Sequence, residues 1–415
     1  MKTIQKIICL KMIPIMIGTL FFLNSCSKEE FSEEVSTENP SIDISAAQAV
    51  PNSYIIVFKE DEKLKKNKQK VTQKASSILS KYKISSQKMK FVYETAIQGF
   101  NLDDISTKEV ELLKNDPNIL AVEPNYIEKL DVTVEQGVMP PKNAGRSSNK
   151  ATATEGYFET GGDYVDWGVA RVGGYTYSTD KTAWILDSGV YAHPDLNIDY
   201  DNSTTFVDKN WGDRNGHGTH VAGIIGAMHN GDGIVGVAPG AKIVAVKVLS
   251  DGGGGTQAQI IAGINYVANN AKYGDVWNYS IGYKKRTTNV AYETAFKSLA
   301  KVTFGAMAAG NSNDDVQYYS PQRKFITNSW VVGNMTNTDA AASGSNYGDN
   351  VHAWGPGTGV WSCGIGGNEF AKKSGTSMAS PYVAGVLLVK GNGKIVSDGN
   401  VSKGGYTAPI AVVKK

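Results

Sequence analysis

Residues 374–385 read SGTSMASPYVAG and are the most informative segment of the sequence. Small residues make a turn, and the apolar residues that follow are typical of a helix. Pro381 fits the first turn of this helix, where its missing N–H costs little. Ser377 then lies at the helix N-terminus, where the dipole and the free N–H groups favour a developing negative charge. A serine in a loop is ordinarily only polar, so its meaning depends on what folds beside it.

Two other motifs supply a carboxylate and an imidazole. Residues 184–189 read WILDSG, an apolar strand that ends in Asp187. Residues 215–223 read NGHGTHVAG and place His217 at the start of an apolar helix. A buried carboxylate suits holding an imidazole in one tautomer, although a lone aspartate there is more commonly a turn or cap residue. His217 and His220 also have the spacing of a metal pair on one helix, but no H-E-x-x-H motif accompanies them.

A fourth motif and the order of elements place these side chains in one fold. Asn311 follows a strand, and its amide can donate to the oxyanion of a tetrahedral intermediate or serve as a turn residue. Strand and helix patterns alternate, which predicts an α/β fold: a doubly wound, mostly parallel sheet with helices on both faces. The site of such a sheet lies at the carboxyl ends of its strands. Strands are predicted at 182–186, 242–249, 276–279, 302–306 and 330–332, and helices at 257–271 and 290–300.

The order Asp187, His217, Asn311, Ser377 resembles the subtilisin family of serine peptidases, over about residues 167–389. The resemblance implies a secreted serine endopeptidase with Asp187, His217 and Ser377 as its triad and Asn311 in its oxyanion hole. It also implies that such an enzyme needs no cofactor for catalysis and that its substrates are polypeptides. A surface binding protein of the same fold that has lost catalysis is the main alternative, and a metal-dependent hydrolase is a third.

The same resemblance implies where the substrate and a structural ion lie. One wall of the S1 pocket is formed by the strand with Ser280, Ile281 and Gly282, and the other by Ala308, Ala309 and Gly310. Gly254 edges the cleft further out, and pairing with the substrate backbone implies broad specificity. Tyr283 departs from the family, which often has glycine there. Asp195 and Asn230 resemble ligands of a structural calcium, and a glycine-rich turn without metal is the alternative.

Residues 52–130 predict a separate small unit. Apolar runs and helical spacing follow the order β-α-β-β-α-β, a ferredoxin-like α+β fold. The run at 54–58, Gly99-Phe100 and the run at 122–125 resemble the inhibitory pro-domain of subtilisin-like proteases, whose tail, here 126–130, blocks the cleft as an intramolecular inhibitor. An unrelated accessory domain is the alternative. Residues 131–162 read as an exposed linker that holds the maturation cleavage, at a bond the sequence does not identify, and 163–415 form the peptidase domain.

The N-terminal residues have the pattern of an export signal. Residues 1–25 combine early lysines with a short apolar run, as in a secretory signal, and end in a box that resembles that of bacterial lipoproteins. Cys26 is then the lipidated first residue, and 26–51 form a polar tether. This predicts an outer-membrane or cell-surface lipoprotein, held at the membrane by its lipid anchor only and open to later release. Ordinary signal cleavage with an unmodified cysteine is the alternative.

Net charge and cysteine content argue against nucleic-acid binding, internal disulfides and a catalytic thiol. The net charge is +2 over 415 residues, which gives no basic surplus for nucleic-acid binding. Cys9 and Cys26 fall in or beside the export segment, which leaves Cys363 alone, so no internal disulfide is expected in the mature body. For Cys363 a small apolar residue is favoured over a catalytic thiol. We expect a monomer.

Overall fold

The computed structural model describes residues 48–135, 155–177, 180–282, 286–366 and 369–413. These ranges all belong to one contact-dense unit, 43–415. None of the helices within them is both long and apolar enough to cross a lipid bilayer. The residues predicted as signal, lipidation site and most of the tether lie outside the described residues, as does most of the predicted linker.

The N-terminal part of the described chain has the predicted β-α-β-β-α-β order. Four of its strands form an antiparallel sheet in the order β4-β1-β3-β2, and both helices cover one apolar core beneath it. A capping box between Ser106 and Glu109 begins the second helix. The elements are β1 (Ala49–Phe58), α1 (Lys68–Lys81), β2 (Met89–Tyr93), β3 (Gly99–Leu102), α2 (Thr107–Lys114), β4 (Ile119–Lys129) and β5 (Thr133–Glu135).

The larger part of the chain alternates strands and helices, as predicted. Its elements are β6 (Tyr157–Phe158), β7 (Asp163–Val165), α3 (Trp167–Arg171), β8 (Thr182–Asp187), β9 (Thr204–Thr205), α4 (His217–Gly226), β10 (Gly233–Ile234), β11 (Lys242–Lys247), β12 (Gly254–Thr256), α5 (Gln257–Asn270), β13 (Val276–Tyr279), α6 (Val290–Leu299), β14 (Phe304–Ala308), β15 (Ser329–Met335), β16 (Ala353–Pro356), β17 (Val360–Cys363), β18 (Phe370–Ser374), α7 (Thr376–Lys390), β19 (Val396–Lys403) and β20 (Tyr406–Val412).

A nine-stranded sheet organises these elements, in the order β19-β20-β16-β15-β14-β13-β8-β11-β9. All of its pairs are parallel except the terminal hairpin β19-β20. Successive residues of β8 point to opposite faces: Trp184 and Leu186 join one apolar core, Ala183 and Ile185 the other. Helices α5 and α6 cover the first face and α4 and α7 the second, so the predicted doubly wound fold is confirmed.

One predicted strand is displaced along the chain. The strand expected at 302–306 is β14, which begins at Phe304. Val302 and Thr303 belong instead to the turn that ends α6, because the N–H groups of both donate to the carbonyl of Leu299, at 2.9 and 3.2 Å. The C-terminal stretch after α7, which the sequence did not explain, extends the sheet as the hairpin β19-β20, with Ile410 opposite Trp354.

Candidate active site

Ser377 is the second residue of α7, as the sequence predicts. The expected position of Pro381 is wrong: it is the sixth residue of the helix and lies beyond the first turn. A proline has no N–H to donate to the carbonyl four residues earlier, which here belongs to Ser377. That carbonyl instead accepts a hydrogen bond from Ser280 Oγ, 2.7 Å away. The proline therefore frees a backbone acceptor beside the serine, and a residue from the neighbouring β13 loop satisfies it.

His217 and Asp187 form a fully buried pair. His217 is the first residue of α4, and Asp187 is the last residue of β8. The His217 Nδ1 donates to Asp187 Oδ1 at a distance of 2.7 Å. The same Oδ1 accepts the Ser188 N–H at 2.7 Å, which holds the carboxylate in place. A Cβ on Gly218 would lie 2.1 Å from the Gly189 carbonyl, so only glycine lets α4 approach the end of β8 this closely.

The Ser377 hydroxyl forms no hydrogen bond with this pair in this conformation. Its Oγ donates to the Ser280 carbonyl at 2.9 Å, and His217 Nε2 is buried with no hydrogen-bond partner among the described residues. A serine side chain moves between staggered rotamers about a single bond. Such a rotation is needed before Ser377 can donate to His217.

Asn311 holds a fixed amide orientation in the cleft. Its Oδ1 accepts from the Thr376 N–H at 2.8 Å and from the Thr376 hydroxyl at 3.0 Å. Because the oxygen is engaged on that side, Nδ2 points into the cleft, where it donates to the Asp131 carbonyl at 2.5 Å. The amide that the sequence singled out thus binds a peptide carbonyl of the protein's own chain.

The predicted substrate-binding residues make different kinds of contact. Gly254 pairs directly with Lys129 of the pro-domain strand. Gly282 and Gly310 face one another, since a Cβ on Gly282 would lie 3.3 Å from the Gly310 Cα. Among the described residues, 280–282 form no ladder with the pro-domain strand β4. On that side, β4 pairs only with β12. Ser280, Ile281, Ala308 and Ala309 are buried, and Tyr283 lies outside the described residues.

Asp195 and Asn230 meet, but not as ligands of a cation. Asn230 Nδ2 donates to Asp195 Oδ1 at 3.2 Å, and its own Oδ1 accepts from the Asp232 N–H. The other Asp195 oxygen accepts from the Ile234 N–H, and burial raises the pKa of this carboxyl to about 7. In this arrangement the amide presents hydrogens where calcium needs oxygen, so the two residues as placed do not fit the ion.

A buried carboxylate that the sequence reasoning missed organises the turn before His217. Asp213 Oδ1 accepts from the N–H groups of Asn215 and Gly216 and from Ser188 Oγ, at 2.9 to 3.0 Å. Its Oδ2 accepts from Thr219 N–H and hydroxyl. The signal that could have found it is an aspartate two residues before an Asn-Gly turn that leads into a helix.

Two residues that suggested other chemistry are structural. His220 Nε2 donates to the Val360 and Ala371 carbonyls at 3.2 and 3.0 Å. In the described part of the chain no group of three or more His, Cys, Asp or Glu side chains could hold a metal ion. Cys363 is fully buried, and burial raises the pKa of its thiol well above the ordinary value. A thiol in that state is a poor nucleophile.

A serine at a helix N-terminus, an imidazole–carboxylate pair and an amide donor, grouped at the carboxyl ends of a parallel sheet, are the parts of a serine-type peptidase. Two sequence profiles match the chain: that of the "Subtilase family" at residues 184–392 and that of "Peptidase inhibitor I9" at residues 53–131. The chain belongs to the subtilase family. It is a subtilisin-like serine endopeptidase preceded by an inhibitor I9 pro-domain.

Individual relatives agree with this assignment. The chain is 35% identical over 322 residues to "Subtilisin-like serine protease AsES" of Sarocladium strictum, covering 73% of each sequence. It is 31% identical over 393 residues to "Subtilisin-like protease 1" of Pseudogymnoascus destructans, covering 89% of this chain and 85% of that one. Among solved structures it is similar to a cold adapted subtilisin-like serine proteinase, with 30% identity and a TM-score of 0.50 over 60% of this chain and 97% of the other.

Proposed function

We propose that the protein hydrolyses peptide bonds through Asp187, His217 and Ser377, with Asn311 as an oxyanion donor. The observation that carries this proposal is the amide of Asn311, held by Thr376 and donating to a peptide carbonyl at 2.5 Å. A donor preorganised at that place stabilises the oxygen as it becomes an anion.

The chemistry follows from these positions. Ser377 Oγ turns from the Ser280 carbonyl towards His217 Nε2, gives up its proton and attacks the scissile carbonyl. His217 passes the proton to the leaving amine, and Asp187 keeps the ring oriented and stabilises its charged form. Water then hydrolyses the acyl-enzyme through the same groups. Every group in this sequence belongs to the chain itself, so catalysis requires no metal or cofactor.

The pro-domain, about residues 52–130, is proposed to act as an intramolecular inhibitor of a self-processing zymogen. Its tail occupies the cleft: Glu128 opposes Gly255, and Ile127 opposes Thr256, in an antiparallel ladder. A segment paired in this way excludes other polypeptides from the same edge. Because the ladder reads backbone rather than side chains, we expect broad specificity for polypeptide substrates in the free enzyme.

Export as a monomeric lipoprotein is the remaining part of the proposal. The basic and apolar pattern of residues 1–25 and the position of Cys26 support it. Cys26→Ser is expected to abolish incorporation of radiolabelled palmitate and to leave peptidase activity in the soluble fraction. Label retained in this variant would reject Cys26 as the lipidated residue, and wild-type protein without label would favour ordinary signal cleavage.

The catalytic proposal is tested with wild type and Ser377→Ala. Wild type should hydrolyse a casein substrate, react with a fluorophosphonate at Ser377 and keep its chemical step in the presence of a chelator. Ser377→Ala should neither cut casein nor react with the fluorophosphonate, and it should keep its pro-domain uncut in the cleft. Hydrolysis that survives the substitution would reject the mechanism, and a wild type that binds but never cuts would favour the adhesive alternative.

A further inference from the structure

A continuous stretch of the chain, residues 127–135, passes through the active-site cleft; we call it the cleft segment. Its first half, the end of β4, pairs antiparallel with β12, where Lys129 opposes Gly254 and Ile127 opposes Thr256. The ladder is extended by one hydrogen bond, from the Leu130 N–H to the Gly253 carbonyl at 3.0 Å. The chain therefore approaches Ser377 in the extended form that a peptidase requires of its substrate.

The second half of the cleft segment pairs with β18, the strand that leads into α7 and Ser377. Strand β5 pairs antiparallel with β18, with Thr133 opposite Ser374 and Glu135 opposite Lys372. The Glu135 carboxylate forms an ion pair with Lys372 at 3.2 Å and accepts a hydrogen bond from Ser374 Oγ. The cleft segment is thus paired at both ends, with β12 before the cleft centre and with β18 after it. These two ladders fix which residues of the segment lie between them.

The residues between these two ladders are Asp131 and Val132. The Asp131 carbonyl is the one that accepts from Asn311 Nδ2. The amide cannot turn away without losing its two bonds from Thr376, the residue directly before Ser377. Of the carbonyls in the cleft segment, this is the one placed at the proposed oxyanion donor, so the peptide bond that follows it lies where the chemistry takes place.

We propose that Asp131–Val132 is the bond at which the protein cuts itself, an inference that rests on the proposed function. Ser377 Oγ bonds to the Asp131 carbonyl carbon, and the bond from that carbon to the Val132 nitrogen breaks. The Ser377 proton passes through His217 to the Val132 nitrogen, which leaves as an amine. One water then releases Asp131 as a free carboxylate and restores Ser377, so the first cut yields a chain that ends at Asp131 and a chain that begins at Val132.

The position of the proposed cut also predicts which side chain the cleft prefers four residues before the cleaved bond. Glu128, the fourth residue from the cut on the N-terminal side, is 1% exposed. Its carboxyl accepts from Gln257 Nε2 at 2.9 Å, and Gln257 Oε1 in turn accepts from Asn289 Nδ2 at 2.8 Å. A buried donor left without its partner costs about 1–3 kcal/mol. Peptides with Glu or Gln at this place are therefore cut faster than their Ala counterparts, by about 5- to 150-fold.

The first experiment follows the full chain from synthesis, with wild type, Ser377→Ala, Val132→Pro and Val138→Pro. Intact mass and N-terminal sequencing identify the first pair of fragments to appear. Wild type and Val138→Pro should give fragments that end at Asp131 and begin at Val132, with a rate constant that does not change on dilution, because the bond already lies in its own cleft. Val132→Pro should remain uncut at this bond, since proline distorts the backbone on the leaving side.

The outcomes separate this inference from the proposed function. A first cut that needs Ser377 but falls at another bond overturns the inference alone. So does an uncut wild type that still hydrolyses an added peptide. An uncut wild type without any peptidase activity overturns the proposed function itself. Because Val132→Pro could also disturb folding, the peptide ILE-GLU-LYS-LEU-ASP-VAL-THR-VAL, added to mature enzyme, tests the same bond: cleavage after the aspartate supports the register, and cleavage only elsewhere rejects it.

Discussion

At the scale of single residues, the site depends on a few side chains whose partners are fixed. Asn311 is held by Thr376 and directs its amide hydrogens at a peptide carbonyl. His217 and Asp187 are both fully buried, so the charge that develops on the ring is stabilised without competition from water. The Ser377 hydroxyl must leave the Ser280 carbonyl before it can donate to His217.

Asn311→Leu is expected to lower kcat by about 10²–10³ with little change in KM, because the lost donor acts on the transition state rather than on the bound substrate. The size of this effect is the one known for the oxyanion-hole asparagine of a subtilisin, carried over to this chain. Steady-state kinetics on a soluble peptide measure it. Ser312→Ala, at the neighbouring exposed residue, serves as the control and should match wild type; an unchanged kcat in Asn311→Leu would contradict the assigned role.

At the scale of elements, helix α7 shows how a break in one hydrogen-bond pattern is repaired by another element. Pro381 leaves the Ser377 carbonyl without a helical donor, and Ser280 Oγ supplies the missing bond at 2.7 Å. The repair joins the helix that carries the nucleophile to the loop after β13. The nucleophile is thereby positioned by two elements rather than by its own helix alone.

Ser280→Ala is expected to lower the free energy of unfolding by about 1–3 kcal/mol, because it leaves a buried carbonyl unpaired. Urea unfolding in a Ser377→Ala background, which prevents self-digestion, measures the loss. The loss should shrink in a Pro381→Ala background, where the restored N–H can bond to the same carbonyl. Equal losses in the two backgrounds would show that Ser280 does not replace the missing helical bond.

Strand β4 brings a titratable group into the cleft. Burial raises the pKa of Glu128 to about 8, from an ordinary 4.5, against the smaller opposite effect of the Gln257 hydrogen bond. The bound state therefore favours the protonated acid. Binding of the cut pro-domain is strongest below pH 4.5 and weakens as the pH rises towards 8, because the released glutamate gives up a proton that the bound one keeps.

Gel filtration of the self-cleaved protein from about pH 5 to 9, with Ser377 blocked by a fluorophosphonate, tests this sign. The fraction of pro-domain that elutes with the protease should fall as pH rises in wild type and vary much less in Glu128→Gln, which carries no titratable proton. Glu111→Gln, an exposed substitution in the same domain, should keep the wild-type dependence. A pH dependence that is the same in Glu128→Gln and wild type would rule out Glu128 as its source.

At the scale of the whole molecule, the pro-domain and the protease share one core. Ile55, Val57 and Tyr93 of the pro-domain sheet belong to the same apolar cluster as Ile260 and Ile264 of α5. Polar contacts accompany this packing, as where Tyr93 Oη donates to the Ala258 carbonyl at 3.0 Å. Cutting one bond in the cleft therefore does not release the pro-domain, because most of its interface is elsewhere.

Asn265→Ala is expected to speed dissociation of the cut pro-domain about 5- to 150-fold. Asn265 Oδ1 accepts from the N–H groups of Glu94, Thr95 and Ala96 at 3.1, 2.9 and 3.1 Å, and all three lose their partner. The lag before peptidase activity appears after self-cleavage should shorten accordingly. Asn270→Ala, on the same helix but bonded only within it, should leave the lag unchanged; a similar lag in both variants would contradict the role of Asn265.

The class of fold, the order of the elements and the residue types of the site could be predicted from the amino-acid sequence. Buried strands, helical spacing and glycine-flanked motifs depend on neighbours along the chain, so they can be read locally. Local patterns do not define where an element begins. The predicted strand at 302–306 therefore starts two residues too early, and Pro381 was expected in the first turn of a helix in which it is the sixth residue.

The contacts between individual atoms could not be predicted in this way, because they depend on how distant parts of the chain pack together. That Ser280 bonds to the Ser377 carbonyl, that Asn311 reaches Asp131 and that Asn265 receives three pro-domain amides depend on residues 97 to 180 positions apart. Hydrogen bonds act over about 3 Å and have no signature in sequence spacing. The order of the motifs could therefore predict a peptidase with its pro-domain, whereas the bond lying in its cleft became visible only after the chain had folded back through its own active site.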